Sequence, residues 1–354
     1  MHELLIQQQI EAAHRTGTKL NIIGGDSKSW YGREATGEPL PVTRHAGIIS
    51  YQPTELVITA RAATRLSVIA DALDECKQRL PFDPPSFGEA ATLGGTLACG
   101  FSGPRRPYAG SCRDFVLGCR IINGKGEVMH FGGEVMKNVA GFDVSRLMAG
   151  SLGTLGVLLD VSLKVLPHRQ TEQTLVVKAS LAEAIGIMNH RAGTDLPVTA
   201  MAADASHVYF RLCGTHSSVQ KSALLMGGDI YADGLQLWKG IREHSLPFFL
   251  DERPLWRISL PSDVPHPVLS DSDDADWLIG WGGAQRWLKS GLPAGQVFAM
   301  AEQAAGHATL FRGGDRAGEI FSPLSEGQMR LHRRIKHAFD PKGILNPGRM
   351  YEGL

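Results

Sequence analysis

Three glycine-rich stretches of this 354-residue chain carry the residue types that could hold a phosphate-bearing dinucleotide. The first is Ile23-Gly24-Gly25-Asp26-Ser27-Lys28, directly after the apolar run LNII. Paired glycines let a backbone bend sharply and let N–H groups approach a phosphate with no Cβ in the way. Ser27 adds a hydroxyl donor. Taken alone, a Gly-Gly pair after a strand is also an ordinary turn. It has neither the GxGxxG spacing of a Rossmann loop nor the GKS or GKT of a Walker A loop. The second stretch is longer: Pro84-Pro85, then Thr92-Leu93-Gly94-Gly95-Thr96-Leu97-Ala98, then Ser102-Gly103-Pro104-Arg105-Arg106, then Tyr108-Ala109-Gly110-Ser111-Cys112-Arg113-Asp114. Its small residues permit close backbone approach, and its hydroxyls and arginines can bind pyrophosphate oxygens. A structureless connection of this length inside a compact domain is usually functional. The third is Gly150-Ser151-Leu152-Gly153-Thr154-Leu155-Gly156-Val157. Read alone it joins a helix to a strand; beside the other two it reads as one wall of a dinucleotide slot.

These loops need rigid elements to position them. Hydrophobic periodicity predicts a helix over residues 4–15 and a buried strand at LNII (20–23). LVITARA alternates like a strand, and TRLSVIADALDECKQR has helical period with Thr64 as its expected N-cap. Residues 81–114 read as loop. VLGCRIING and EVMHFGG read as a hairpin turning at Gly124-Lys125-Gly126, FDVSRLMAG as helix, and TLGVLLDVSLKVLP as a long strand. Beyond Pro167 the texture changes. TLVVKA, HVYFRLCG, LWRISL and WLIGWG read as strands, with helices at SLAEAIGIMNHRA, SSVQKSALLMGG and AGQVFAMAEQAAGH. That order predicts an antiparallel sheet covered on one side. The acidic stretch 262–276 reads as a surface loop. The helix SEGQMRLHRRIKHAF precedes a Pro/Gly-rich tail.

In this order, GGDS, TLGGTLA, SGPRR, the NGKGE hairpin, KNVAGFD, GSLGTLGV and the C-terminal FDPKGILNPGRM resemble the FAD-linked oxidase family of the vanillyl-alcohol oxidase type. Within that family the likeness is to FAD-binding subunits of bacterial glycolate oxidases, also called glycolate dehydrogenases. The resemblance implies an α+β fold: a two-subdomain FAD-binding domain over residues 1–168 and a small α+β cap over 169–320. The C-terminal helix and tail, 321–354, are expected to return toward the FAD domain. It implies FAD as cofactor. Ile23, Gly24, Gly25, Asp26 and Ser27 match the family's pyrophosphate loop. Pro85, Thr92, Gly94, Gly95, Thr96, Ser102, Gly103, Tyr108, Gly110, Ser111 and Asp114 match a second cradle, and Gly156 and Val157 match the adenine-side strand. No His lies in the first loop, where covalently flavinylated members carry one, so FAD is expected to be non-covalent. The implied partners are a larger FAD-containing catalytic subunit and an iron–sulfur subunit.

Other features depart from the family pattern. Leu152 stands where relatives often have Glu, and Cys99-Gly100 where an Asn is common. The cap motif His-x-Gly-Asp-Gly-Asn of metal-dependent 2-hydroxy-acid oxidisers is absent, with His307 and Asp315 its nearest echo. Hence no metal site is expected and no catalytic residue is named. Arg312, Arg316 and Arg349 are candidates to grip a carboxylate. Trp277, Trp281 and Trp287 read equally as a docking surface or as cap core. The 36 basic and 36 acidic residues balance, which argues against a nucleic-acid partner. Five scattered cysteines with no CxxC pair fit reduced thiols in a cytoplasmic protein, one that could reach the inner membrane through a complex. No signal peptide and no apolar run long enough to span a membrane is read.

Overall fold

A computed structural model of the chain describes residues 2–133, 143–267 and 274–354. Most of the KNVAGFD motif and the middle of the acidic stretch, 268–273, lie outside the described residues.

The N-terminal part contains two sheets. Leu20–Ile23 pairs in parallel with Glu38–Pro41. A five-stranded antiparallel sheet runs in the order Ile48–Gln52, Val57–Arg61, Val157–Lys164, Val116–Ile122, Val128–Gly132. The long strand 157–164 sits in its centre and is buried along almost its whole length, which explains its near-continuous apolar sequence. The helix Leu66–Glu75 buries Leu66, and packs Ile69 and Leu73 against this sheet. Its cap position is Arg65 rather than Thr64. The Thr64 hydroxyl is instead engaged with the Gly47 N–H (2.9 Å) and C=O (3.1 Å).

The reading of residues 81–114 as loop needs correction. Leu93–Cys99 is a helix, and its N-cap Thr92 accepts a hydrogen bond from the Gly95 N–H at 3.2 Å. A Gly-Gly pair inside the first turn lowers helix propensity enough to hide it from periodicity. The cap and the tertiary contacts supply what propensity lacks: the Gly94 N–H donates to the Ala62 carbonyl at 2.7 Å.

The C-terminal part is built on an eight-stranded antiparallel sheet, ordered Asp229–Ile230, Thr171–Lys178, His207–Gly214, Val198–Ala203, Asp276–Gly280, Gln285–Lys289, Leu255–Ser259, His307–Arg312. One face carries the helices Leu181–Ala192, His216–Met226 and Ala294–Gln303. The expectation of a sheet covered on one side only fails. Ala200, Tyr209, Leu278, Trp287 and Phe311 on the other face pack with Trp238 and Ile241 of the helix Gly234–Glu243 and with Tyr31, Phe101 and Leu152 of the N-terminal part. That second cover comes from a distant stretch of chain, which strand alternation cannot reveal.

The final helix, Glu326–Phe339, opens with a Ser325–Gln328 capping box. The tail after it returns to the first strand: the Leu20 N–H donates to the Ile344 carbonyl at 2.7 Å, and the Asn346 N–H to the Leu20 carbonyl at 2.9 Å. Buried Lys336 fastens this return, donating to the Thr154 and Leu345 carbonyls and to Asp340, each at 2.7 Å.

Candidate functional site

The three glycine-rich stretches meet around a cavity of about 370 Å³. Ile23, Gly24, Gly25, Asp26 and Ser27 form one side, Thr92, Gly94 and Gly95 another, and Gly156 and Val157 a third. The loop after the strand Leu20–Ile23 is held open by its neighbours. The Asn346 amide oxygen accepts from the Ile22 N–H at 2.8 Å, and its Nδ2 donates to the Leu152 carbonyl at 2.7 Å. Arg349 donates to the carbonyls of Ser29 and Arg33.

The decisive feature is a set of donors. Among the described residues, no protein acceptor takes the backbone N–H of Gly24, Gly25, Asp26, Ser27 or Lys28. Five consecutive amides without protein partners, lining a cavity, form a nest suited to an anion such as a pyrophosphate. Lys28 adds a cation. Its side chain is buried and its Nζ reaches only the Ser27 hydroxyl (3.2 Å) and the Ser86 carbonyl (3.0 Å). Burial pushes this ammonium below its ordinary pKa, which an arriving phosphate would reverse.

The glycines divide by what demands them. A Cβ on Gly25 would sit 1.6 Å from the Ala90 carbonyl oxygen, and one on Gly94 2.8 Å from the Ala62 Cβ. These two let the cavity walls close on each other. Gly24 and Gly95 would meet only the Thr92 hydroxyl, at 3.5 and 3.2 Å. Gly156 lies under Ile121, whose Cδ1 would be 2.9 Å from a Cβ.

Other residues named from the sequence lie outside this cavity. Pro85, Ser102 and Gly103 line a separate cavity of about 30 Å³. The Ser102 hydroxyl accepts from the Cys112 N–H at 2.9 Å, and a Cβ on Gly103 would lie 2.1 Å from the Asp83 carbonyl oxygen. Thr96 is fully buried. Tyr108 is exposed. Asp114 caps a short turn, accepting from the Ser111 N–H at 2.8 Å and hydroxyl at 2.7 Å, and a Cβ on Gly110 would touch its carboxylate at 3.3 Å. Ser111 also lines a cleft of about 290 Å³ that shares Tyr31, Cys99 and Leu152 with the main cavity.

Of the three arginines considered for a carboxylate, Arg349 lines the main cavity, and it and Arg316 donate to backbone carbonyls. Arg316 donates to the Leu310 carbonyl (2.8 Å) and the Gly32 carbonyl (2.6 Å). Arg312 stacks on Trp30 at 4.4 Å, and Arg349 braces the first loop as described. Of the tryptophans, Trp277 and Trp287 are buried, and Trp281 reaches across to the N-terminal part, its indole N–H donating to the Gly103 carbonyl at 3.0 Å. Among the described residues no three His, Cys, Asp or Glu side chains converge as a metal site. Asp315 accepts only from the Ala317 N–H, at 2.9 Å, within its own loop.

Sequence reasoning missed Lys28, Tyr31 and Asn346 as cavity residues and treated Cys99 and Leu152 only as departures. Cys99 is in the wall, with burial pushing its thiol up to about 11. Leu152 adopts positive φ (51°) and its N–H donates to the Ala98 carbonyl at 2.9 Å, joining the second and third stretches. The NPGRM tail was the available signal for Asn346.

Residues 2–132 match the FAD binding domain family, and residues 313–350 the C-terminal domain of the FAD linked oxidases. The glycolate oxidase subunit GlcE of Escherichia coli is 48% identical over 98% of this chain and 97% of its own length. The chain belongs to the FAD-linked oxidase family, alongside that subunit. A D-2-hydroxyglutarate dehydrogenase of Xanthomonas citri pv. viticola is 25% identical over 97% of this chain and 84% of its own length. In fold, the chain is similar to a solved alkyldihydroxyacetonephosphate synthase, with a TM-score of 0.68 at 15% identity, covering 97% of this chain and 75% of that one. FAD is thus the cofactor, and the nest of free amides suits its pyrophosphate.

Proposed function

We propose that this chain is the flavin-bearing subunit of a multi-subunit dehydrogenase that oxidises glycolate or a similarly small 2-hydroxy acid. Its partners in this reading are a larger FAD-containing catalytic subunit and an iron–sulfur subunit, and the complex works in the cytoplasm or peripherally at the inner membrane. The observation that carries the reading is the amide nest at Gly24–Lys28 in a chain similar over its whole length to a glycolate oxidase subunit. Among the described residues no helix is long and apolar enough to cross a membrane.

FAD supplies the redox chemistry when bound: it accepts hydride and releases electrons singly. The protein's part is binding and orientation. The amides of Gly24–Lys28 hold the pyrophosphate, with Lys28 offsetting its charge. Thr92 keeps the helix Leu93–Cys99 aimed at the loop. Gly156 and Val157 form the adenine side. Residues 1–168 then act as the FAD domain and 169–320 as its cap.

The cap side of this site is packed with rings. Tyr31 and Phe101 lie 4.6 Å apart, Phe101 and Phe311 5.2 Å, and Trp287 and Phe311 4.8 Å. Oxidising a 2-hydroxy acid needs a base for the hydroxyl and a cation for the carboxylate. The reading assigns the substrate base to the larger subunit. The test is dye reduction with glycolate by the purified, FAD-loaded chain alone and after reconstitution with both partners. Turnover only in the complex is expected; equal turnover by the chain alone would overturn the subunit assignment and make it a stand-alone enzyme.

A further inference from the structure

The segment from Asp83 to Phe87 has left-handed backbone at both ends, with φ of 52° at Asp83 and 51° at Phe87. A side chain as bulky as Phe adopts such angles only where its surroundings enforce them. The enforcing groups come largely from one turn of the cap, the C-terminal end of the helix Gly234–Glu243. Arg242 donates to the Asp83 carboxylate at 3.1 Å. One carboxylate oxygen of Glu243 accepts from both the Ser86 N–H (3.0 Å) and the Phe87 N–H (2.9 Å), and the other accepts from the Arg242 Nε at 2.8 Å. His244, just past the helix, sets its ring 5.0 Å from that of Phe87 in an edge contact.

The opposite side of the same segment touches the glycine cradle. The Ser86 carbonyl accepts from the Lys28 Nζ at 3.0 Å, and the Lys28 ammonium lies 5.9 Å from the Phe87 ring centre. The Ser86 C=O and the Phe87 N–H belong to one peptide group, and in a trans peptide these two bonds point in opposite directions. That single peptide therefore stands between two side chains from different domains, its N–H on the Glu243 carboxylate and its C=O on the Lys28 ammonium. A carboxylate on the N–H polarises the peptide and makes its carbonyl a stronger acceptor. Burial is the largest influence on the Lys28 ammonium and lowers its pKa; Cys99 and Glu243 act the other way. Of these two only Glu243 carries a carboxylate, since the Cys99 thiol, pushed up to about 11 by burial, stays neutral at pH 7.

We infer that Glu243 is a positioning residue for FAD: through the Ser86–Phe87 peptide it holds Lys28 aimed at the pyrophosphate, so that the cap takes part in holding the cofactor without touching it. The inference rests on reading the cavity as the FAD site. It differs from a plain clamp between domains in one respect. A clamp weakens FAD binding by the same factor whether or not Lys28 is present, whereas a relay that ends at Lys28 has no effect once Lys28 is gone.

A double-mutant cycle on the full chain separates the two. FAD affinity is measured by flavin fluorescence titration for the wild type, Glu243→Ala, Lys28→Met and the double variant. Each single variant is expected to raise Kd about ten-fold or more, the effect of losing a charge-assisted hydrogen bond. In the Lys28→Met background, Glu243→Ala is expected to change Kd by no more than about two-fold. Should Glu243→Ala fail to fold, Glu243→Gln carries the same cycle; it keeps an oxygen for the two amides and loses the charge. Hydrogen exchange at the Ser86 and Phe87 amides gives a second reading, because coupling is reciprocal. FAD should slow that exchange in the wild type and not in Lys28→Met. A wild-type Kd in the Glu243 variant that folds, equal fold-changes in the two backgrounds, or exchange in the wild type that is indifferent to FAD would each overturn the inference. So would a wild-type Kd in Lys28→Met while Gly25→Ala loses FAD. Failure of the underlying site assignment looks different: Lys28→Met and Gly25→Ala would both leave FAD binding intact.

Discussion

Gly25→Ala is the sharpest perturbation of the site, because the structure supplies its magnitude. The added methyl would lie 1.6 Å from the Ala90 carbonyl oxygen, 2.8 Å from that carbonyl's carbon and 3.1 Å from the Thr92 Cγ2. Carbon and carbonyl oxygen approach to about 3.3 Å at closest, so the two loops must part by roughly 1.7 Å. The obstacle is backbone on a loop that runs into the cap residue Thr92, so no side-chain rotation relieves it. Overpacking of this kind costs about 1–3 kcal/mol in the unliganded fold. The larger effect falls on FAD. A displacement of that size takes at least one of the five amides out of hydrogen-bond reach of a phosphate, and one charge-assisted bond is worth about 1.5–3 kcal/mol. At an FAD concentration of 100 Kd, ligand stabilisation of the wild type is about 2.7 kcal/mol. A hundred-fold weaker site leaves about 0.4 kcal/mol at the same concentration. The assay is thermal unfolding with and without FAD, with flavin fluorescence titration for Kd. Thermal shift by FAD should nearly vanish in the variant. A wild-type Kd and shift would refute both the clash and its coupling to the cofactor.

Gly95→Val should leave the unliganded Tm close to wild type while FAD content falls. Gly95 sits in the first turn of a helix with ordinary backbone angles, and a Cβ there meets only the Thr92 hydroxyl at 3.2 Å; normal flavin content would move Gly95 out of the binding wall. Acid precipitation of the FAD-loaded chain should release all the flavin into the supernatant, since no His lies in the first loop; colour retained in the pellet would indicate a covalent bond. Asp83→Asn should destabilise the chain by about 3 kcal/mol, the low end for breaking a buried ion pair, because Arg105 and Arg242 keep Glu172 and Glu243 and only Arg211 loses its sole carboxylate. Burial acts to raise the Asp83 carboxyl, but Arg211, Arg242 and Arg105 outweigh it and hold its pKa below the ordinary value. Its contribution is therefore complete above about pH 4, the unfolded carboxylate pKa, and is lost as pH falls through the folded value. Acid unfolding of the variant should be correspondingly less steep in that range, as read by far-UV circular dichroism.

The sequence by itself determined the cofactor class and its loops. GGDS after LNII, TLGG, and GSLGTLGV before a buried strand are local patterns, each setting backbone angles or close approach within a few residues. Those are the scales on which glycine spacing and apolar periodicity act. The helix Leu93–Cys99 escaped that reading because two glycines mask its period, and its stability comes from Ala62 and Thr92. Contacts between distant segments were decided only by the tertiary structure. Gly25 is required by Ala90, sixty-five residues away in sequence; Asn346 opens the first loop from the far end of the chain. Arg312, Arg316 and Arg349 had the chemistry for a carboxylate, and only the tertiary structure sets them against Trp30, Gly32 and Ser29. Such partners come from everything that surrounds a side chain in the assembled fold and not from its neighbours in the chain.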